Sequence, residues 1–215
     1  GLAALAAVLW WQRPWVGDTL TVAAPAGSFM AGGSSMFVLD PFAYYFKWLF
    51  VLTAGLVVLL TRNDAKLLST QVGEFYLLLY TALLGMLVLA SVNDLLLLFI
   101  GLELLTFSAY VMTAYVNTDS KAVEAGMKYL ILGSVSSGCL IYGVGLLYGA
   151  AGSTNFEVLR AVFSSGELPP LAHIGVLLIL AGLGFKIAAV PFHLWAPDVY
   201  EGAPTPVVAL LSVGY

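Results

Sequence analysis

The stretch GLGFKIAAVPFHLWAPDVYEGAPTPV, residues 182–207, places a lysine, a proline and a histidine at the end of a long apolar run. The run that precedes it, LAHIGVLLILA at residues 171–181, has the composition of a membrane-spanning helix. Lys186 falls near the middle of the resulting apolar segment, and Pro191 follows within about two helical turns. Because proline lacks the N–H that continues a helix, the chain is predicted to leave regular α-helix between Lys186 and Ala196.

The composition of the whole chain indicates a membrane protein. Of its 215 residues, 61% are hydrophobic and 9% are charged, whereas soluble globular domains carry roughly 25% charged residues. We therefore predict an all-α fold, a polytopic bundle of transmembrane helices. The net charge of -4 comes without a basic patch, so nucleic acid is not expected as a partner. Cys139 lies within an apolar run, where a thiol packs as a small apolar group.

Apolar segments of suitable length predict five membrane crossings in a single membrane domain. Asn93 and Asp94 divide an apolar stretch that is too long for one crossing, since both residue types favour turns and caps. Asp40 is expected to cap the first crossing. The predicted crossings are residues 36–61, 74–91, 95–116, 122–149 and 171–195, with partial helices at 1–12 and 206–215. The partial helices at both ends indicate a piece of a longer membrane subunit.

Small residues and basic residues add two expectations. In the fourth crossing, Gly133 with Ser137 and Ser134 with Gly138 have the spacing that lets membrane helices approach closely.

Basic residues favour the cytoplasmic side of a membrane. The loop that follows the first crossing is therefore placed in the cytoplasm. The loops on its side of the membrane hold Arg62, Lys66 and Lys121, whereas those on the other side hold Arg13 and Arg160.

Two charged residues lie near the middle of predicted crossings, where a charge costs from ~2.5 kcal/mol to more than 10 kcal/mol. Glu103 lies about 12 Å along its helix from Leu95, and Lys186 is similarly deep. Ionisable residues at this depth usually serve a function. The alternatives are a carboxylate that bonds a neighbouring helix and a lysine that extends to the membrane surface. We expect Glu103 to face the bundle interior and to approach Lys186 or Lys128.

Further ionisable residues lie closer to the predicted ends of the crossings. Lys128 is one to two turns inside the fourth crossing, where either a function or extension to the surface is possible. His193 could relay protons, because histidine titrates near neutral pH, or it could pack at the interface beside Trp195. Lys47 lies in the first crossing, with Asp40 seven residues before it, and the sequence assigns it no role.

These residues together favour a proton path. The proton affinity of a buried lysine depends on whether a carboxylate lies beside it, so a lysine with a movable partner can take up and release protons. Carbonyls freed at the helix break are expected to point towards a cavity that holds Lys186 and His193, because lipid cannot satisfy them. The sequence has no metal-binding cluster, nucleotide-binding loop or nucleophile triad.

Four stretches carry a resemblance to a known family. They are EFYLLLYTALLGMLVLAS at 74–91, GLELLTFSAYVM at 101–112, EAGMKYLILGSVSSGCLIYGVGLLYGAAGSTNF at 124–156, and the stretch at 182–207 quoted above. Over roughly residues 36–215 the chain resembles the N-type antiporter-like membrane subunit of respiratory complex I, the proton-pumping NADH:quinone oxidoreductase. The family is built from inverted repeats, each with a broken helix.

The resemblance implies a set of functional residues and partners. It makes Glu103, Lys128 and Lys186 proton-channel residues and Pro191 part of the helix break, with only the N-terminal half of the family fold present. The family's next lysine would lie beyond Tyr215. No catalytic centre or cofactor is expected in this chain, whereas NADH, FMN, iron–sulfur clusters and quinone are expected in the whole complex. The expected partners are other membrane and peripheral complex I subunits and the lipid bilayer, in a bacterial inner membrane or an equivalent energy-transducing membrane.

Other functional classes remain open at this point. The same membrane core serves Mrp-type cation/proton antiporters and membrane-bound hydrogenases, and buried Glu and Lys residues do not discriminate between them. A structural scaffold, in which the buried charges only join helices, is the third possibility.

Overall fold

The computed structural model describes residues 1–12, 35–62, 64, 71–166 and 169–214. Regular secondary structure in these ranges is helical, with only isolated β-bridges beside it. The helices in chain order are α1 Leu2–Gln12, α2 Pro41–Thr61, α3 Val72–Leu89, α4 Leu95–Thr113, α5 Ser120–Ala151, α6 Phe156–Ser164, α7 Pro170–Lys186, α8 Trp195–Gly202 and α9 Thr205–Gly214.

Helices α2, α3, α4 and α5 are long and apolar enough to cross a membrane, and α7 is a shorter apolar helix. Each lies largely within one of the predicted crossings. The all-α transmembrane fold predicted from the sequence is thereby confirmed. The short helix α6, which follows α5, was not predicted. Lys66 and Arg13 lie outside the described residues, so the orientation in the membrane stays a prediction.

Acidic caps set the starts of two crossings, as the sequence predicts. The Asp40 carboxylate accepts a hydrogen bond from the Ala43 N–H at 2.6 Å and begins α2. Asp94 accepts from the N–H groups of Leu96 and Leu97 and begins α4. Each carboxylate satisfies amide donors that have no partner within the first helical turn.

The turns at one end of the bundle are joined by a polar cluster. Asn155 is buried, and its side-chain amide donates to the carbonyls of Ser35 and Asn93. Asn93 also donates to the Ser35 carbonyl, and Thr154 donates to the Asp94 carboxylate at 2.6 Å. Three chain segments that are distant in sequence are therefore fixed to one another beside the starts of α2, α4 and α6.

Helices α5 and α7 pack closely because glycines face each other across their contact. A Cβ at Gly143 would come within 2.7 Å of the Gly175 carbonyl, and one at Gly182 within 2.8 Å of Leu140 Cβ. The predicted small-residue pairs are only partly used. Gly133 and Ser137 are buried, whereas Ser134 and Gly138 are exposed and leave the helix surface open.

The predicted break in the last crossing is confirmed, but its cause differs from the expectation. The break was predicted between Lys186 and Ala196, within a crossing that extended to residue 195, and α7 ends at Lys186, five residues before Pro191. Ala188 adopts a left-handed conformation with φ 51°. The N–H groups of Ala188 and Ala189 bond back to the carbonyls of Phe185 and Gly184, which closes the helix end.

This arrangement corrects the proposed role of the proline. Pro191 does not remove a hydrogen bond inside the helix, because Ile187 is already the C-cap residue of α7. Pro191 lies instead in the turn that connects α7 to α8, and its peptide bond with Val190 is cis. The residues after Lys186 form this turn and then a separate helix, α8.

Candidate functional site

Lys186 is the last residue of α7 and is buried, with 6% of its surface exposed. Its Nζ lies 3.1 Å from Glu103 Oε1 and 3.1 Å from Ser137 Oγ. Hydroxyl oxygens of Thr106 and Tyr110 lie 3.2 and 3.4 Å away. All these partners are side-chain oxygens, so the ammonium group is compensated by one charge and several dipoles inside an apolar bundle.

Helix α4 supplies most of this site from one of its faces. Glu103, Thr106 and Tyr110 are three and four residues apart in succession, which aligns them along one stripe of a helix. Helix α5 contributes Ser137, and Gly133 on α5 leaves room for the Tyr110 ring. Three helices therefore meet at the Lys186 ammonium.

Glu103 accepts hydrogen bonds from both Ser137 and Lys186. Its Oε1 accepts from Ser137 Oγ at 2.5 Å and from Lys186 Nζ at 3.1 Å. The expectation that Glu103 approaches Lys186 or Lys128 is confirmed for Lys186. The Glu103 side chain is 31% exposed against 4% for Lys186, so the pair runs from the chain's surface into its interior. A carboxylate, an ammonium and intervening hydroxyls at these distances can exchange protons.

The end of α7 is covered by the first residue of α8. Trp195 is buried, and its indole N–H donates to the Phe185 carbonyl at 2.9 Å. The Trp195 ring stacks on Tyr129 of α5 with a centroid distance of 4.5 Å. The carbonyls of Phe185 and Gly184 are therefore not free, because Trp195 and the turn occupy them. The expectation that carbonyls freed at the break point towards a cavity with Lys186 and His193 stays a prediction.

Lys128 lies apart from the Glu103–Lys186 pair. Its Nζ is 2.8 Å from Glu124 on the same helix and 2.8 Å from Asp198 on α8. Lys121 pairs with Glu201 of α8 at 2.9 Å. These five charged side chains line a cavity of about 190 Å³ between α5 and α8.

His193 lies in the turn between α7 and α8 and is partly buried. Within the described ranges its buried Nδ1 has no hydrogen-bond partner, and it does not contact Lys186 by hydrogen bonding. The described residues also hold no group of three or more His, Cys, Asp or Glu that could bind a metal ion.

Several site residues were missed by reasoning from the sequence. Thr106, Tyr110 and Ser137 are ordinary constituents of membrane helices. Only the spacing of Thr106 and Tyr110 from Glu103 could have drawn attention to two of them. Asp198 was missed because acidic residues near the end of a crossing usually face water. Its role as partner of Lys128 depends on how α8 lies against α5.

Residues 92–214 match the family described as NADH:quinone oxidoreductase/Mrp antiporter, transmembrane. The chain belongs to this family. It is a multi-pass integral membrane protein, and the resemblance to N-type antiporter-like subunits is confirmed by its relatives. NADH-quinone oxidoreductase subunit N of Desulfitobacterium hafniense is 45% identical over 197 residues, which cover 89% of this chain and 40% of that protein. Subunit N of Moorella thermoacetica is 47% identical over 178 residues, 82% of this chain and 37% of that protein.

Solved structures give the same assignment of the fold. A chain of respiratory complex I from Thermus thermophilus with bound aureothin superposes with a TM-score of 0.76 and 32% identity, covering 99% of this chain and 43% of that one. A chain of the archaeal membrane-bound sulfane sulfur reductase superposes with a TM-score of 0.80 and 28% identity. The superposition covers 98% of this chain and 43% of that one. The chain thus spans about two fifths of the length of the relatives it matches.

Proposed function

We propose that this chain is part of a proton-translocating membrane subunit of a NADH:quinone oxidoreductase, and that protons pass through the Glu103–Lys186 pair. The observation that carries the proposal is the buried Lys186 ammonium at the broken end of α7, 3.1 Å from the Glu103 carboxylate. Charged groups at this depth in a membrane bundle are costly and mark ion or proton pathways. Relatives named subunit N, at 45% identity, support the assignment to this type of oxidoreductase.

The proposed mechanism couples proton affinity to the distance between the two charges. When Glu103 is beside Lys186, it stabilises the protonated amine, and separating the two favours release of the proton. Moving one charge against 100 mV costs about 2.3 kcal/mol. A change of two pKa units corresponds to about 2.7 kcal/mol, so a modest movement of the pair is sufficient.

The hydroxyl groups around the pair extend the path. Ser137 donates to Glu103 while it also lies within bonding distance of Lys186, and Thr106 and Tyr110 flank the ammonium. Hydroxyls both donate and accept hydrogen bonds, so they can hand a proton between the charged groups. We propose Lys128 and His193 as further residues of the route, and Pro191 as part of the break that lets the end of α7 move.

Redox chemistry belongs to other subunits in this proposal. The chain contributes no catalytic centre of its own, and NADH, FMN, iron–sulfur clusters and quinone act elsewhere in the complex. The other membrane and peripheral subunits are its partners. Quinone chemistry then drives the change that separates or joins Glu103 and Lys186.

The test is the Lys186→Met variant in the full-length subunit within its assembled complex, reconstituted in vesicles. Methionine keeps the length of the side chain and removes its charge. We expect proton pumping to fall at least tenfold, since the variant loses the titrating group, while the subunits still assemble. Lys121→Met is the matched control, because Lys121 is exposed and lies outside the buried pair.

Two outcomes would contradict the proposal in different ways. Normal pumping by Lys186→Met would mean that the buried charges only join helices, as in a scaffold. Purification of the intact complex without flavin and iron–sulfur subunits, together with sodium/proton exchange, would instead favour the Mrp-type branch that the family description includes.

A further inference from the structure

Lys47 lies in α2, and the proton path leaves it without a function. It faces a cavity of about 190 Å³ between α1, α2 and α3. Leu5 and Val8 line this cavity from α1, and Leu87 and Val88 line it from α3. The cavity is therefore an apolar groove with an amine at one point of its wall.

The charge of Lys47 is not neutralised by an ion pair within the described residues. Asp40, seven residues earlier at the N-cap of α2, is the acidic group that interacts with it. The Asp40 carboxylate already accepts the Ala43 N–H as the cap of α2, at 2.6 Å. An anionic partner, together with extension towards the membrane surface, stabilises a lysine that faces apolar side chains in a membrane.

Ser91 supplies a second, independent sign of a ligand in the same cavity. It is 6% exposed, and its buried Oγ has no hydrogen-bond partner in the part of the chain that the structure describes. Its backbone is held in place, because the Ser91 carbonyl accepts from the Val38 N–H at 2.9 Å. A buried hydroxyl without a partner loses the hydrogen bonds it would make in water.

We propose that this groove binds an anionic phospholipid, with its phosphate on Lys47 and Ser91. An ammonium group only donates hydrogen bonds, and the Ser91 hydroxyl is free to donate, so the pair suits an anionic acceptor. The apolar walls of α1 and α3 suit an acyl chain. Lys47 lies about 9 Å along α2 from Pro41, and its long side chain can extend towards the membrane surface where phosphates lie. The proposal does not depend on the proton path.

The experiment uses the full-length subunit in its purified complex, stripped of lipid and titrated with phosphatidylglycerol. Bound lipid is counted by native mass spectrometry, and phosphatidylcholine serves as the zwitterionic probe. We expect the wild-type complex to bind one phosphatidylglycerol that the Lys47→Met complex binds about tenfold more weakly, as the loss of a charged hydrogen bond implies. Ser91→Ala removes a neutral donor and is expected to weaken the same site about fivefold.

Lys121→Met is the control, since it removes a lysine at the opposite end of the bundle without touching the groove. Equal binding of phosphatidylglycerol by wild type, Lys47→Met and Ser91→Ala would overturn the proposal. Equal retention of phosphatidylcholine at the site, or retention of a neutral ligand such as a quinone in place of the lipid, would overturn it as well. Because Ser91→Ala removes one oxygen atom, it tests the site even if Lys47→Met fails to assemble.

Discussion

Gly133 controls the position of Tyr110, a residue whose hydroxyl lies 3.4 Å from the Lys186 ammonium. A Cβ at Gly133 would overlap the Tyr110 hydroxyl and come within 2.5 Å of the ring carbon Cζ. Tyr110 is buried and packs edge-on against Tyr129, so it has little freedom to move away. Because Gly133 on α5 has no side chain, Tyr110 on α4 can lie where its hydroxyl reaches Lys186.

We expect Gly133→Ala to lower the free energy of unfolding by about 1–3 kcal/mol, because it overpacks a buried contact. Displacement of Tyr110 should also reduce proton pumping. Gly138→Ala is the matched control on the same helix, since a Cβ there meets no atom within 4 Å. Thermal unfolding of the purified full-length subunit and pumping by the assembled complex are the measurements.

The double variant Gly133→Ala/Tyr110→Phe separates this explanation from a general effect on α5. Removing the hydroxyl should relieve part of the overlap. The double variant should therefore lose less free energy of unfolding than the two single variants lose together. Strictly additive losses would mean that Gly133 acts elsewhere.

Helix α8 is the element that joins the end of α7 to α5. Its buried side contributes Trp195, which stacks on Tyr129 and bonds the Phe185 carbonyl. Its exposed side contributes Asp198 and Glu201, which pair with lysines of α5. Exposed ion pairs contribute little to stability, whereas a buried aromatic group with a satisfied N–H contributes through packing and hydrogen bonding.

We therefore expect Trp195→Phe to lower the free energy of unfolding by about 1 kcal/mol or more, because it removes a buried hydrogen bond and part of the stacked ring. Asp198→Asn, on the same helix, should leave the midpoint of thermal unfolding nearly unchanged. The opposite ranking of the two variants would show that the ion pairs, rather than Trp195, hold α8 against α5.

On the scale of the whole molecule, the polar cluster at Asn155 fixes the turns of the bundle to one another. Asn155 accepts from the Glu157 N–H to begin α6, and its amide nitrogen donates to the carbonyls of Ser35 and Asn93. This places the starts of α2 and α4 in register, and α4 carries Glu103. The position of the site along the membrane therefore depends on a cluster at one end of the bundle.

Asn155→Ala should lower the free energy of unfolding by about 2–3 kcal/mol, since it removes a helix cap and the two buried hydrogen bonds that the Asn155 amide donates. Asn117→Ala is the matched control, because Asn117 is exposed in a turn at the other end of α4. Thermal unfolding of both variants checks the prediction, and equal midpoints would contradict it.

Much of the fold could be predicted from the sequence because a bilayer imposes length and composition on each crossing. Apolar runs gave the crossings, and Asp40 and Asp94 gave two helix starts through local hydrogen bonds. Glu103 and Lys186 could be singled out because a charge in lipid requires a partner. The helix starts depend on residues close in sequence, and the crossings and the buried charges depend on the lipid bilayer. Neither inference requires knowledge of how the helices pack.

The tertiary structure alone decided which groups meet. Lys186 contacts Glu103, whereas Lys128 pairs with Asp198, and the sequence left both lysines open as partners of Glu103. The helix break also depends on packing, because Ala188 takes a conformation that usually requires glycine while Trp195 covers the helix end from a separate element. The physical reason is that a buried charge needs some oxygen close by, but the angle and depth at which helices cross determine which oxygen arrives there.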